Sequence, residues 1–254
     1  MHHTPTELKQ QFDLDGYVVV RNFVSGSELQ SLERNLEHYI TDVVPTLPPS
    51  DAFYQDSNKP ETLKQLQHMQ QHSEFFNDYA HHPQWMDLAT TLLGEPAHCQ
   101  GPEWFNKPPN TQHPTPPHQD NYYFCLEPCQ VLTLWLALDA IDEENGCLRY
   151  YRGSHLHGLV SHEASSVLGF SQGIQHIPDS LRTRETPVPT NPGDLLVHHG
   201  ATIHRADANL STHRQRRAFA MVYRGQSCQI NIQRQGEYQQ ALKKQHAAIN
   251  PNPI

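Results

Sequence analysis

The residues best able to do chemistry lie close together in HPTPPHQDNYYF, His113–Phe124. His118 and Asp120 are separated by one residue. In an extended chain successive side chains point to opposite faces, so these two share one. Pro116 and Pro117, just before them, fix φ and pre-set an extended approach. One imidazole nitrogen and one carboxylate oxygen could then reach a single ion. A histidine from a distant strand would complete a two-histidine, one-carboxylate set with open positions, which suits non-haem Fe(II). The pair alone is a weak signal, because 19 histidines and 13 aspartates in 254 residues yield roughly one His-x-Asp by chance. The third ligand must come from the histidine-rich end of the chain, where His198, His199, His204 and His213 are all open.

Such a site needs strands to hold it. QVLTLWLALD (Gln130–Asp139) is the clearest. Leu132, Leu134, Leu136 and Leu138 fall on one face, which reads as core. Val131, Thr133, Trp135 and Ala137 fall on the other, a mixture that suits the wall of a pocket. GCLRYY, GDLLVHHG, RRAFAMVYRG and the early DGYVVVRNF read as further strands between Gly/Pro loops. Up to about residue 95 the chain otherwise reads as helical. Ser25 and Glu28 have capping-box spacing, and Trp85, Leu88 and Leu92 recur at helical spacing before Gly94. The expected fold is mainly β with helices (α+β): a sandwich or jelly-roll core in one domain spanning 1–254. Residues 1–95 give mostly helical support, 96–225 the core and 226–254 a C-terminal extension.

Composition narrows the partners. A formal net charge of −9 argues against nucleic acid, and the short basic cluster Arg214, Arg216, Arg217 does not reverse it. No apolar run approaches the length of a membrane span, and the first residues lack a basic-then-apolar signal pattern. The five cysteines form no CxxC pair, so reduced thiols in a cytoplasmic protein are expected. The sequence does not bear on oligomeric state.

Four blocks, in order, resemble the phytanoyl-CoA dioxygenase family of Fe(II)/2-oxoglutarate oxygenases. FDLDGYVVVRNF looks like its opening strand and NKPPNTQHPTPPHQDNYYF like its metal-binding segment. WLALDAIDEENGCLRYYRGSHLHG looks like its strand, Asn-Gly-Cys-Leu turn and Gly-Ser-His loop, and PGDLLVHHGATIHRADANLS…RRA like its distal-histidine segment. The resemblance implies a double-stranded β-helix (jelly-roll, cupin-like) core. It implies His118, Asp120 and His204 as ligands of Fe(II), and Arg216 as the group that grips the remote carboxylate of 2-oxoglutarate. The gap from His204 is one residue longer than the family pattern, which puts Arg214 and Arg217 in play. Strand parity favours Arg216, which shares a face with Ala218, Ala220 and Val222 and leaves room for a cosubstrate; its planar fork matches a carboxylate as a lysine would not. Thr133 and Trp135 align with positions that line the cosubstrate pocket. Tyr122, by parity with His118 and Asp120, is placed on the substrate side, with Glu103 and Phe105 facing the site; a carboxylate at 103 could meet a cationic substrate group. His155 and His157 form a His-x-His of the kind that seeds a cupin-type metal site; in this resemblance they are loop residues.

The activity implied is hydroxylation of an unactivated C–H in a small-molecule metabolite, using O2 and releasing succinate and CO2. Related halogenases replace the carboxylate ligand with a small residue, so Asp120 favours hydroxylation or another oxidation such as desaturation. The contrasting expectation is a relative that binds metal or 2-oxoglutarate without turnover. The family handles acyl-CoA esters, zwitterions, phosphonates and natural-product intermediates; no long basic stretch here advertises a CoA phosphate site.

Overall fold

The computed structural model describes residues 4–165 and 171–249. Eleven strands form its two main sheets: β1 (Tyr17–Val20), β2 (Ala52–Tyr54), β3 (Leu63–Leu66), β4 (Ala97–Asn106), β5 (Thr115–His118), β6 (Val131–Ala137), β7 (Leu148–Tyr151), β8 (Glu185–Val188), β9 (Leu195–His199), β10 (His204–Ala206) and β11 (Arg217–Gly225). The larger sheet runs β1-β9-β6-β11-β4-β3-β2 and the smaller β8-β7-β10-β5. Every pairing in both sheets is antiparallel.

The alternation read in β6 sorts the two faces of the larger sheet. Leu132, Leu134 and Leu136 join Leu195, Val197, Phe219 and Met221 in a core closed by helix residues such as Phe76 and Trp85. Each of those three leucines is fully buried, which contributes about 2 kcal/mol apiece. Trp135 and Ala137 face the other way and pack with Leu148, Tyr150 and Ala206 of the smaller sheet. That inner layer is thin because Ala137, Ala206, Ala218 and Ala220 are small, and the cavity lies there.

The N-terminal third holds the expected helices, including Gly26–His38 and Pro83–Leu93, the latter stopped by Gly94 at φ 76°. It also supplies three strands to the larger sheet, one on one edge and two on the other. β2 and β3, at three and four residues, are too short to show an alternating pattern. Ser25 occupies the N-cap of its helix without a side-chain cap bond. Glu28 instead accepts from the Tyr79 hydroxyl (3.3 Å) and Gln84 Nε2 (3.0 Å), so tertiary packing has taken the carboxylate the capping box would use. A complete capping box forms one helix earlier, between Thr4 and Glu7. No helix among the described residues is long and apolar enough to cross a membrane.

Candidate metal and cosubstrate site

β5 and β10 are neighbours in the smaller sheet, and their register sets His118 directly opposite His204. The ring centroids are 4.2 Å apart. Asp120 follows after one extended residue, Gln119, and opens the short helix Asp120–Phe124. Its Oδ1 lies 3.5 Å from Nε2 of each of the two histidines. Ligand atoms of these three residues all lie within 4.8 Å of one another, and no other such group of three occurs among the described residues.

What fixes this corner is the bonding of the atoms that face away from it. His118 Nδ1 meets the Pro116 carbonyl (2.9 Å) and His204 Nδ1 the Thr202 carbonyl (3.0 Å). Each Nδ1–H is thereby a donor, and each Nε2 keeps its lone pair for a metal. Asp120 Oδ2 accepts from the Thr133 hydroxyl (2.6 Å) and from His198 Nε2 (3.1 Å), which leaves Oδ1 facing the histidines. In the tautomer that donates to Asp120, His198 Nδ1 accepts from the buried Tyr150 hydroxyl at 2.9 Å. Burial alone would raise the Asp120 carboxyl, but His204, His118 and His198 around it hold it well below the usual carboxylate range. Burial, with His118 and His198 beside it, keeps the His204 imidazole well below its ordinary value, hence neutral and able to ligate. Two imidazoles and a carboxylate on one side of an otherwise open cavity form a donor set that fits a divalent non-haem metal.

Gln119, the residue between the two ligand candidates, anchors the segment. Its Nε2 donates to the carbonyls of Ala201 (2.7 Å) and Gly158 (2.8 Å), and its backbone N–H donates to His162 Nε2 (3.1 Å). Gly200 allows the close approach that seats Asp120: its carbonyl accepts from Asn121 N–H at 2.8 Å and its N–H donates to Val131 at 2.7 Å. A Cβ at that position would meet the Val131 side chain at 2.5 Å.

The triad opens into a cavity of about 400 Å³ that is also lined by Thr133, Trp135, Arg216, Phe105 and Glu103. The three candidate arginines separate cleanly. Arg214 bonds to Asp142 (2.9 Å) and Glu144 (2.8 Å), and Arg217 to Asp139 (2.6 Å). Arg216 is buried, 5% exposed, with its guanidinium 5.7 Å from the centre of the Trp135 ring and its Nε without a hydrogen-bond partner. Burial lowers it to about 10, so it stays cationic at neutral pH. A buried, incompletely bonded guanidinium lining the same cavity as a metal-type donor set is complementary to a carboxylate ligand.

Other expectations change. Thr133 does line the cavity, but its hydroxyl is engaged with Asp120. Tyr122 does not share a side with His118 and Asp120, because the chain turns helical at Asp120 and side chains no longer alternate. Tyr122 stacks on His162 at 3.9 Å, and Tyr123 lines the cavity instead. His155 is in a 3-10 turn and bonds to the Asp13 carbonyl, away from the triad. His198, one of the open ligand candidates, orients Asp120. Lys64 and Lys107 line the cavity and were missed; Lys107 Nζ is held by the Asp207 carbonyl at 2.6 Å. Tyr238, from the C-terminal helix Ile232–Ile249, also lines it.

Residues 12–218 match the family model for phytanoyl-CoA dioxygenase (PhyH). The chain belongs to the PhyH family. It is 26% identical over 239 residues to the peroxisomal phytanoyl-CoA dioxygenase of Rattus norvegicus, covering 87% of this chain and 69% of that protein. It is 28% identical over 261 residues to phytanoyl-CoA dioxygenase domain-containing protein 1 of Bos taurus, covering 85% and 88%. Among solved structures it is similar to the epimerase SnoN in complex with Fe3+, alpha ketoglutarate and nogalamycin RO, with TM-score 0.71 over 88% of this chain and 84% of that one at 23% identity. That likeness is one of fold, and the shared fold is the jelly roll. The PhyH match ends at residue 218, inside β11, so Tyr238 reaches the cavity from beyond it.

Proposed function

We propose that this PhyH-family chain is an Fe(II)- and 2-oxoglutarate-dependent dioxygenase that hydroxylates an unactivated C–H of a small-molecule metabolite, releasing succinate and CO2, with 1–254 acting as one catalytic domain. His118, Asp120 and His204 would hold the iron, which when bound supplies activation of O2 coupled to oxidation of the cosubstrate. Arg216 pairs with the remote carboxylate of 2-oxoglutarate, and Trp135 carries the guanidinium on its face. Thr133 and His198 keep Asp120 turned so that one oxygen faces the metal position. The alanines of β11 leave room for the cosubstrate, and Phe105 and Tyr123 give the substrate an apolar wall that excludes water. Asp120 fills the third protein position, which supports hydroxylation over halogenation.

One observation carries this reading: a two-histidine, one-aspartate set and a buried guanidinium with an unbonded Nε open into the same cavity. The test is to supply purified protein with Fe(II), 2-oxoglutarate and O2 and screen a metabolite panel for succinate release. The expected result is succinate formed with the right metabolite in step with a product heavier by one oxygen. Protein that binds both metal and 2-oxoglutarate yet yields no succinate with any metabolite or metal loading would make it a non-catalytic relative.

A further inference from the structure

We propose that Glu103 selects the substrate, and that the substrate is a small molecule carrying a protonated amine on an apolar body; this rests on the assignment of the cavity as the active site made above. Two cavities meet at this residue. Glu103, Gln67, Phe124 and Val222 line both the main cavity and a second one of about 240 Å³. The carboxylates lining the two are Asp120 and Glu103. Asp120 is enclosed by imidazoles and Thr133. Glu103 has no ion-pair partner among the described residues, and its Oε2 accepts one amide hydrogen bond, from Gln65 at 2.9 Å.

Among the described residues neither Lys64 nor Lys107, which line the same cavity, forms an ion pair with Glu103, and Lys107 is tied to backbone carbonyls. β4 and β11 pair Glu103 with Ala220, four residues along the strand from Arg216. At about 3.3 Å per residue that separates the two backbone levels by roughly 13 Å. The cavity therefore has a cationic end at Arg216 and an anionic point at Glu103, with Trp135 on the same register row as Glu103, across Ala220. Burial raises the Glu103 carboxyl to about 6, against the Gln65 hydrogen bond, with Asp120 pushing it up and His68 pulling it down. At neutral pH it is still mostly ionised, a half-buried charge with one neutral donor, and such a charge gains most from an opposite one. The aromatic linings around it, among them Phe53, Phe105, Phe124 and Tyr238, favour an apolar body and tolerate a cation. An anionic substrate group would be repelled from the same point.

The test is calorimetric titration of protein preloaded with Zn(II) and 2-oxoglutarate, using benzylamine and 2-phenylethylamine against their neutral isosteres benzyl alcohol and 2-phenylethanol. The amines are expected to bind at least about tenfold tighter than the alcohols. Glu103→Gln should erase that preference while leaving the affinities for Zn(II) and 2-oxoglutarate unchanged, and Glu103→Asp, which keeps the charge, should retain part of it. Amines and alcohols binding within about threefold of each other, no binding of either, or equal weakening of both by Glu103→Gln would overturn the proposal. Failure of the protein to load Zn(II) and 2-oxoglutarate would instead count against the oxygenase assignment, and is read before any amine is added.

Discussion

The metal corner and the Arg216–Glu103 wall of the same cavity are built in opposite ways. In the corner, His118, His204 and Asp120 have their outward atoms bonded to carbonyls, Thr133 and His198, and His198 is itself held by Tyr150. Along the wall, the Arg216 Nε has no partner and Glu103 has a single amide. The corner is organised before any ligand arrives, so little is lost in aligning it. The wall carries charges that only ligands can complete. On the proposed reading, the corner sets the chemistry and the wall sets what enters.

Replacing residues on each side should therefore give separable effects. Arg216→Met is expected to weaken 2-oxoglutarate by about a hundredfold, the loss of a charge-assisted pair, with metal affinity unchanged. Arg217→Gln should leave 2-oxoglutarate affinity untouched, because Arg217 is committed to Asp139. Equal weakening by both would break the distinction between the arginines. Thr133→Val acts on the corner: it frees Asp120 Oδ2 and should lower metal affinity about tenfold, the lower end for a group that orients a ligand. Tyr150→Phe, one step further out, should cost roughly 1 kcal/mol, a fewfold loss in metal affinity. Metal titrations of these variants rank the shells, and a Tyr150 effect larger than that of Thr133 would show that His198, rather than Thr133, is the main hold on Asp120.

Much of this was legible in the sequence where one strand carried the information. Alternation in Gln130–Asp139 assigned both faces of β6, and parity after Arg216 separated it from Arg217. The same logic failed at Tyr122, because parity holds only while the chain stays extended and Gln119 is the last extended residue before the helix. His198 could be named as a candidate but not given a role, since its place depends on pairing with Thr133 across β9 and β6. Neither Gln119 nor Gly200 announces its contacts in the sequence. Their contributions lie in contacts to Ala201, Gly158, Asn121 and Val131, which only the folded chain brings together. Glu28 shows the reverse case, a correct local motif overridden by Tyr79 and Gln84.

The central claim, that His118, Asp120 and His204 hold an iron to which Arg216 delivers 2-oxoglutarate, is tested most directly by anaerobic visible spectroscopy with Fe(II) and 2-oxoglutarate. The wild-type protein should develop the charge-transfer band of chelated iron. Asp120→Ala and His204→Ala should lose it, and Arg216→Met should recover it only at much higher 2-oxoglutarate. A wild-type protein without the band at any pH or iron loading, or an Asp120→Ala variant that keeps it in full, would contradict the account.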